Sequence, residues 1–408
     1  MRLSILVNSQ KYDKWQGAEA INSKGRIMMI RSEVLNVSSF SNELQFLLRL
    51  LRSDYKLEVE EAVQLAEEID WQLFLRFAVY HQTHPVLYPL LVQLNAKLQW
   101  TPDHVMSRLR DLCSRNTLLM HQLHEEMGRI NGMMEKQGIR PLFLKGPVLA
   151  ALLYGDLSGR TSGNLDILVA RQDWDRSVQQ LLSAGYMMAK QYGVDNVLNY
   201  TERNTHHLVY IHPDKNIEVE LHWKLNPNTE MEPSFAELWA RRQASSFPKS
   251  IYTLGNEDLL VYLILHGTRH GWSSLKWLLD IDRMMGRFLN WNRANQLFEE
   301  SGSRQFGGEA FLLATQLLGT LLPEEAHVMT LEPKARRLAH MVLPFIREEL
   351  SLYPKPERKE IAVLFNRYLL ATMNCRQKLL YIMYKLYPSS KDFWRQVKRQ
   401  TPKEKASS

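Results

Sequence analysis

The amino-acid sequence predicts an α+β protein in which a strand-containing core lies between two all-helical modules. Apolar residues recur at helical spacing from Ser41 to about Gln137, and again after Asn256. Residues 138–255 instead contain short apolar runs separated by Pro, Gly, Asn and Asp, a pattern typical of strands and turns. We therefore predict five segments: a poorly ordered leader at 1–38, a helical module at 39–137, the core at 138–255, a second helical module at 256–390 and a basic tail at 391–408.

The composition is that of a globular protein with a mildly basic charge. Of the 408 residues, 45% are hydrophobic and 23% are charged, which excludes an intrinsically disordered chain and is enough for two or three domains. The formal net charge of +7 favours anionic ligands such as nucleotides. Basic residues are not interleaved with aromatic ones in a compact motif, so nucleic acid is a possible partner that we do not favour.

The compartment is predicted from the cysteines and the apolar stretches. Cys113 and Cys375 lie far apart in the sequence, which argues against a disulfide framework or a cysteine zinc site and fits a reducing compartment. No apolar stretch reaches the ~18 residues of a membrane-spanning helix, and the chain is too polar after Val7 for a secretory signal. We therefore expect a cytoplasmic protein without a membrane partner. A start at Met28 or Met29, inside the leader, stays an alternative to Met1.

The first helical module is predicted from its caps and breaks. Ser41 provides an N-cap for a leucine-rich helix, and Pro85 ends one helix and begins another. Pro102 opens a long helix that runs to about Gln137, where Gly138 is the expected C-cap. The histidines of this helix have no carboxylate or cysteine partner at metal-ligand spacing, so we expect them at the surface; they are His104, His121 and His124.

The core is predicted to alternate short strands with helices. Each element is bounded by Pro, Gly or a polar turn, and Pro147 stands at the first position of a helix, where its missing N–H costs nothing. The predicted strands are 141–144, 165–169, a possible strand at 186–190, 207–211 and 217–223, and the predicted helices are 147–153 and 172–184. The last two strands form a hairpin around the turn at 213–216.

The region after Asn256 is predicted to be helical again. Successive segments show the 3.6-residue period of amphipathic helices, and the chain ends in a basic, polar stretch around Lys398 and Arg399. We expect the two helical modules to line a cleft on the core.

Oxygen-bearing side chains on two predicted strands indicate a metal site. Asn164 and Asp166 alternate and therefore point to one face of their strand, and Glu218 and Glu220 do the same on the last strand. If the two strands pair, Asp166 and Glu220 can converge on one cation. Two or three oxygen ligands, with substrate phosphates, are what Mg²⁺ takes from proteins, so we expect Mg²⁺ or Mn²⁺. An edge-strand carboxylate without a ligand is the alternative.

A Lys-Gly turn before the first core helix is a candidate phosphate site. Backbone N–H groups at a helix N-terminus bind phosphate, although Pro147 removes one of these donors. Lys145 could supply a cation to a triphosphate, and Arg160 could do so from the loop before Asn164. A Lys-Gly pair is common in ordinary turns, so this motif alone does not identify a function.

Three blocks of sequence in order resemble a known family. The first is LKG followed by Tyr154, Arg160, Ser162 and the strand NLDILV; the second is EVELHWKL; the third is HGTRHGWSSLKWLLDIDRMM. Together they cover about residues 140–290 and resemble the uncharacterised nucleotidyltransferase family, a bacterial branch of the polymerase-β-like nucleotidyltransferase superfamily. They are also similar to the nucleotidyltransferase half of abortive-infection toxin systems.

The resemblance implies a polymerase-β-like nucleotidyltransferase core, a small mixed sheet with flanking helices. It implies metal-dependent transfer of a nucleoside monophosphate from a nucleoside triphosphate to an acceptor, with release of pyrophosphate. Asp166 and Glu220 would be catalytic, and Asn164 would complete the metal ligands. The residues implied to bind the nucleotide are Lys145, Gly146, Arg160, Ser162, His266 and His270, although the two histidines could instead cap a polar pocket.

One departure from the family pattern leaves alternatives open. Asn164 stands where the family has the first metal-binding acid, so a neutral oxygen replaces a carboxylate and metal binding is weakened. The leading hypothesis is a nucleotidyltransferase that acts on a small molecule, peptide or protein. A catalytically weakened nucleotide-binding pseudoenzyme or scaffold is the alternative, and an RNA-directed nucleotidyltransferase ranks lower. The sequence identifies neither the acceptor nor the nucleotide.

Overall fold

The computed structural model describes most of the chain between residues 19 and 379. The described residues are 19–21, 27–29, 35–54, 59–97, 99–189, 206–227, 231–245, 251–348, 358–375 and 377–379. Most of the predicted leader and all of the predicted basic tail lie outside them. Within the leader, strands β1 and β2 form an antiparallel pair, Glu19–Ile21 with Ile27–Met29.

The described residues of the first helical module form five helices. They are α1 (Asn42–Leu51), α2 (Val59–Ala66), α3 (Trp71–Tyr80), α4 (His84–Asn95) and α5 (Asp103–Lys136). The side chain of Ser41 caps α1 by accepting from Leu44 N, as the sequence predicted, and Asp70 caps α3. Helix α5 ends before Gly138, whose φ of 67° suits a glycine at a helix C-terminus.

The core is a five-stranded mixed sheet with short helices around it. Its strands are β3 (Leu142–Phe143), β4 (Asn164–Leu168), β5 (Met187–Met188), β6 (His207–His212) and β7 (Ile217–His222), in the order β3-β4-β7-β6-β5. Strands β4 and β7 are parallel, and the other neighbours are antiparallel. The described part of this region also contains helices α6 (Pro147–Tyr154), α7 (Trp174–Ser183) and α8 (Phe235–Ala240) and the antiparallel pair β8 (Gln243–Ala244) and β9 (Tyr252–Thr253).

The second helical module follows directly. Its helices are α9 (Asn256–Arg269), α10 (Leu275–Met285), α11 (Trp291–Glu300), α12 (Arg304–Leu318), α13 (Glu324–Thr330), α14 (Pro333–Arg347) and α15 (Lys359–Thr372). The predicted α+β class, a small mixed sheet flanked by helices, is thus confirmed. In the described part of the chain, every helix is too short or too polar to traverse a lipid bilayer.

Two hydrophobic cores meet along α5. Its first turns contribute Val105 and Leu109 to a core shared by the two helical modules. Its later turns contribute Met127, Ile130 and Met134 to a second core, which lies against the sheet. Because the apolar face of this one helix packs in both cores, α5 connects the sheet to the helical modules. The chemistry-bearing residues lie where the sheet faces α9 and α10.

Candidate active site

The sheet brings the two predicted carboxylates side by side. In the parallel pairing of β4 with β7, Asp166 lies opposite Glu220, and Asn164 lies opposite Glu218. Asp166 is fully buried, whereas 22% of the Glu220 side chain is exposed. The side-chain Nδ2 of Asn164 donates to Glu220 Oε1 at 3.0 Å. Asp166 and Glu220 therefore lie together, as was expected if the two strands pair, and Asn164 is hydrogen-bonded to Glu220.

Lys145 supplies the nearest cation to Asp166. It follows β3, which pairs with β4, and its Nζ lies 3.0 Å from Asp166 Oδ1. Burial opposes the charge of Lys145, but its pKa is raised above the ordinary value because Asp166, Tyr262 and Glu220 surround it with negative or polar groups. Lys145 is therefore a fixed positive charge beside the carboxylates.

Gly146 and Ser162 shape the turn beside these residues. Gly146 has φ 74° and ψ −140°, which a residue with a side chain rarely adopts. A Cβ added there would lie 3.3 Å from the backbone oxygen of Asn164. Ser162 Oγ donates to the same oxygen at 3.1 Å. Both predicted nucleotide-binding residues thus hold the start of β4 against the start of α6.

Three histidines complete the cluster, and the sequence argument did not select them. His222 ends β7, and its Nε2 lies 3.3 Å from Asp166 Oδ1 and 3.3 Å from Glu220 Oε2. His207 Nε2 lies 3.6 Å from Glu220 Oε2, and the ring of His206 packs edge-on against both other rings. The His-His pair that opens β6 and the histidine two residues after Glu220 were visible in the sequence. Only the antiparallel register of β6 with β7, which aligns His207 with His222, shows that they meet.

Lys145 and His222 lower the pKa of both carboxylates in the cluster. Burial would raise the pKa of Asp166, but Lys145 and His222 lower it below the ordinary value. The pKa of Glu220 is also lowered, since His222 and Lys145 outweigh burial and the repulsion from Asp166. Burial opposes protonation of His222, yet its pKa is raised by both carboxylates. The pKa of His207 is lowered to about 4 by burial and by His222.

These residues fit a bound metal ion. The side chains of Asp166 and His222 are buried, and their only polar partners among the described residues are the charge contacts with Lys145, with Glu220 and with each other. One ligand atom from each of Asp166, Glu220 and His222 lies within 4.8 Å of the others. Buried polar atoms without hydrogen bonds are costly unless another group satisfies them. A divalent cation would do so here.

Arg160 lies in the loop before Asn164 and is paired with a carboxylate of α10. Its guanidinium is 3% exposed and makes paired hydrogen bonds of 2.8–3.1 Å with the carboxylate of Asp280 on α10. Tyr154 Oη donates to the same carboxylate at 3.0 Å. A buried guanidinium requires a carboxylate partner, and Asp280 provides it. Arg160 therefore joins the loop before β4 to α10, and its binding to the nucleotide stays a prediction.

The two predicted histidines of α9 lie beside the cluster. Both rings contact Trp277, and their centroids are 4.5 Å apart. Arg269 links this pair to the sheet, because its guanidinium contacts His266 Nδ1 at 3.2 Å and His206 Nε2 at 3.0 Å. The pKa values of His266 and His270 are well below the ordinary value, first because they are buried and then because Lys145 and Arg269 are close.

A second lysine, Lys276, lies near the loop that precedes β4. Lys276, on α10, donates to Gln82 Oε1, which also accepts from Thr161 Oγ1 at 2.9 Å. Burial and the neighbouring Arg160 lower the pKa of Lys276 to about 7. The sequence argument did not include Lys276 in the site, because Gln82 and Arg160 are distant from it along the chain.

A cavity of about 280 Å³ lies between the segment that follows β7 and helices α9 and α11. Tyr262 lines the cavity, and its pKa is raised because burial and the charge of Asp166 outweigh the opposing effect of Lys145. Acidic side chains also line the cavity, and they are Glu232, Glu237, Asp258 and Glu300. Asp258 is paired with Arg241 through two hydrogen bonds of 2.8 and 2.9 Å.

Comparison with known families identifies the chain at the level of family. The family model described as an uncharacterised nucleotidyltransferase matches residues 67–319, which is more than half of the 408 residues. The match contains the sheet, the carboxylates and helices α9 to α11. No curated protein matches the chain significantly. The chain therefore belongs to this uncharacterised nucleotidyltransferase family, which supports nucleotidyl transfer as its general function.

Proposed function

We propose that the protein transfers a nucleoside monophosphate from a nucleoside triphosphate to an acceptor, with Mg²⁺ or Mn²⁺ as cofactor, on a polymerase-β-like core. The observation that carries the proposal is the parallel register of Asp166 with Glu220 and the 3.0 Å contact of Lys145 with Asp166. Two carboxylates beside a fixed ammonium group provide the ligands for a metal-bound triphosphate and a countercharge for its phosphates.

The reaction balances as a displacement at phosphorus. The nucleophilic oxygen or nitrogen of the acceptor forms a bond to the α-phosphorus, while the bond from that phosphorus to the α,β-bridging oxygen breaks and pyrophosphate leaves. Asp166, Glu220 and the oxygen of Asn164 would hold the metal, which neutralises phosphate charge when bound. Glu220, the more exposed carboxylate, is the candidate base for the proton of the acceptor. Lys145 and Gly146 would position the triphosphate.

The acceptor is proposed to enter from the side of Tyr262. The cavity there has room for a small molecule or a side chain of a peptide or protein. RNA remains the lower-ranked acceptor, and RNA binding that falls steeply with added salt would support it.

The first prediction tests the reaction. Incubation with α-labelled nucleoside triphosphates and Mg²⁺ or Mn²⁺ should release pyrophosphate and label an acceptor or the protein itself. Asp166→Asn should reduce this rate by at least ~100-fold, because it removes the buried carboxylate from the metal ligands. Asp214→Asn, a matched change in the exposed β6–β7 turn, should leave the rate unchanged. Equal rates for Asp166→Asn and the unaltered protein would refute the proposal.

One observation favours a non-catalytic nucleotide-binding protein as the second candidate. Asn164 donates to Glu220 Oε1 and so occupies an oxygen that a metal would otherwise use. A pseudoenzyme should bind a nucleoside triphosphate without releasing pyrophosphate and should keep its biological activity in Asp166→Ala. Loss of that activity in Asp166→Ala would exclude this candidate.

A further inference from the structure

The ammonium group of Lys276 has no carboxylate partner among the described residues. Its Nζ donates to Gln82 Oε1, and this neutral amide oxygen is the one polar contact of the ammonium group in the described part of the chain. We propose that Lys276 binds a terminal phosphate of the triphosphate, β or γ, and that Gln82 positions the ammonium group for it. The identity of the ligand rests on the proposed function, but its binding can be measured without transfer.

Gln82 has a backbone conformation that a residue with a side chain adopts only at a cost. It follows α3, and its φ of 55° lies in the left-handed region. Thr83 N donates to Ala78 O and Gln82 N donates to Val79 O, both at 3.0 Å, which is the hydrogen-bond pattern of a Schellman motif. Glycine is the usual residue at this position of the motif. A glutamine there is strained, and strain of this kind concentrates at functional sites.

The side chain of Gln82 joins α10 to the loop that carries Ser162 and Asn164. Its Oε1 accepts from Lys276 Nζ at the start of α10 and, at 2.9 Å, from Thr161 Oγ1 in that loop. Gln82 is exposed and Lys276 is half-buried, so a ligand can reach the ammonium group. A phosphate oxygen is a stronger acceptor than a neutral amide, so a bound phosphate would take over this hydrogen bond.

The charges around Lys276 favour an anion. The carboxylate of Asp280 is paired with Arg160, and that of Asp166 lies 3.0 Å from Lys145. The charge of Lys276 is therefore unmatched, which agrees with its lowered pKa, since burial and the nearby Arg160 both oppose its protonation. The phosphates of a triphosphate would supply the missing negative charge.

The neighbours of the two lysines assign them to different phosphates. Lys145 contacts Asp166, the predicted metal ligand, and so lies beside the phosphorus that is attacked. Arg160 and Asp280 affect Lys276 more strongly than Lys145 and Asp166 do. Lys276 therefore fits a phosphate that is farther along the triphosphate chain.

Calorimetric titration with the Mg²⁺ complex of inorganic tripolyphosphate tests the proposal without a nucleobase or a transfer step. We expect the unaltered, full-length protein to bind this complex. Lys276→Met should weaken the binding by about 10- to 100-fold, because a hydrogen bond between two charged groups is lost. Lys334→Met is the matched control: Lys334 is also the second residue of its helix, α14, but it is exposed and lies over the ring of Phe306. It should change the affinity by less than about twofold.

Gln82→Glu is a sharper variant, because it keeps the length and shape of the side chain and leaves Lys276 in place. The new carboxylate should pair with Lys276 and compete with the phosphate, so tripolyphosphate affinity should fall about as much as in Lys276→Met. The urea midpoint should stay the same or rise, because the variant gains an ion pair. Gln179→Glu adds the same charge at an exposed position of α7 and should leave the affinity unchanged.

Two results would overturn the proposal: tripolyphosphate affinity that is unchanged in both Lys276→Met and Gln82→Glu, or no binding of tripolyphosphate to the unaltered protein. Urea denaturation shows whether Lys276→Met folds, and if it does not, Gln82→Glu decides. Pyrophosphate release with an unchanged KM for the nucleoside triphosphate in both variants would overturn this inference alone. Tripolyphosphate binding that depends on Lys276, without pyrophosphate release from any nucleoside triphosphate, would support this inference and count only against the proposed function.

Discussion

Asn164 is the residue that most directly limits the number of carboxylates in the site. Its amide Nδ2 donates to Glu220 Oε1, which leaves Oε2 facing His207 and His222. An amide here keeps the cluster at two carboxylates, and Lys145 offsets part of their charge. A third carboxylate would repel the other two in the absence of a cation and would attract a metal more strongly.

The second prediction follows from these opposite effects of a third carboxylate on the metal-free site and on metal binding. Asn164→Asp should bind Mn²⁺ about tenfold more tightly or better, because a further negative charge lies close to the ion. The metal-free variant should be less stable than the unaltered protein, since Asp166 and Glu220 then face a third like charge. Calorimetric titration with Mn²⁺ and urea denaturation without metal measure the two effects. Equal Mn²⁺ affinity would mean that position 164 does not face the ion.

Gly146 gives the third prediction. Gly146→Ala should destabilise the protein by about 1–3 kcal/mol, because its φ and ψ lie in a region that only glycine adopts readily. The new Cβ would also press on the backbone oxygen of Asn164 and shift β4. Nucleotide affinity and urea denaturation report the two effects. Gly128→Ala is the matched control: it lies in α5 with open space around it and should stabilise the protein by roughly 0.5–1 kcal/mol. A neutral result for Gly146→Ala would show that the turn can rearrange.

Single residues were predictable from the sequence where local pattern determined them. Alternation along the two strands indicated that Asn164 and Asp166 share one face and that Glu218 and Glu220 share another, and the family resemblance supported Glu220. The partner of Arg160 was not predictable, because Asp280 is 120 positions away and contacts it only after the sheet has packed on α10. The same holds for His207, whose proximity to Glu220 depends on the register of the β6–β7 hairpin.

At the scale of elements, the Arg160–Asp280 pair joins the loop before β4 to α10. Tyr154, at the end of α6, contributes a third contact to the same carboxylate. Asn116 of α5 holds this loop as well, by donating to the backbone oxygens of Ser158 and Arg160 at 3.0 and 3.3 Å. The loop that delivers Ser162 to the site is therefore fixed from three helices.

The fourth prediction tests this joint. Arg160→Met should destabilise the protein by about 3–5 kcal/mol, because it leaves the carboxylate of Asp280 buried without its cation. The double variant Arg160→Met with Asp280→Leu should recover much of this loss, since both charges are then removed. Urea denaturation of the unaltered protein, the single variant and the double variant measures these changes in the free energy of unfolding. A single variant that is as stable as the double variant would show that Asp280 finds another partner.

The elements themselves were largely predictable, and their arrangement was not. Caps and breaks such as Ser41, Pro102 and Gly138 placed helix ends correctly, and the polar turn at 213–216 placed the hairpin. Asn216 adopts φ 51° in that turn, as asparagine tolerates. The parallel pairing of β4 with β7 brings together strands that are some fifty residues apart. No local sequence signal specifies this pairing. It was expected only because Asp166 and Glu220 can share one cation if the two strands are paired.

At the scale of the whole molecule, a buried polar network connects helix α15 to the site. Glu309 of α12 is fully buried, and its carboxyl group contacts Tyr368 Oη at 2.9 Å and Thr268 Oγ1 at 3.2 Å. Tyr368 Oη also contacts the backbone oxygen of Thr268 at 2.9 Å. Because Thr268 precedes Arg269, this network holds α15 against the helix that faces the sheet. Burial raises the pKa of Glu309 to about 8.

The fifth prediction is a pH dependence of unfolding that Glu309 causes. Near neutral pH the folded protein keeps Glu309 protonated, whereas the unfolded chain releases this proton above its ordinary pKa of 4.5. The folded state therefore binds the extra proton between about pH 4.5 and 8, and the contribution of Glu309 to stability falls across this interval by up to about 1.4 kcal/mol per pH unit. Above pH 8 both states are ionised and the contribution becomes constant. Glu309→Gln keeps the shape of the side chain and its hydrogen bonds but cannot titrate. As the pH rises from 5 to 8, the free energy of unfolding of this variant should therefore exceed that of the unaltered protein by an increasing amount. Urea midpoints of both proteins at several pH values give the difference directly, and other titrating groups cancel in it. A difference that does not change with pH would mean that Glu309 is ionised in the folded protein.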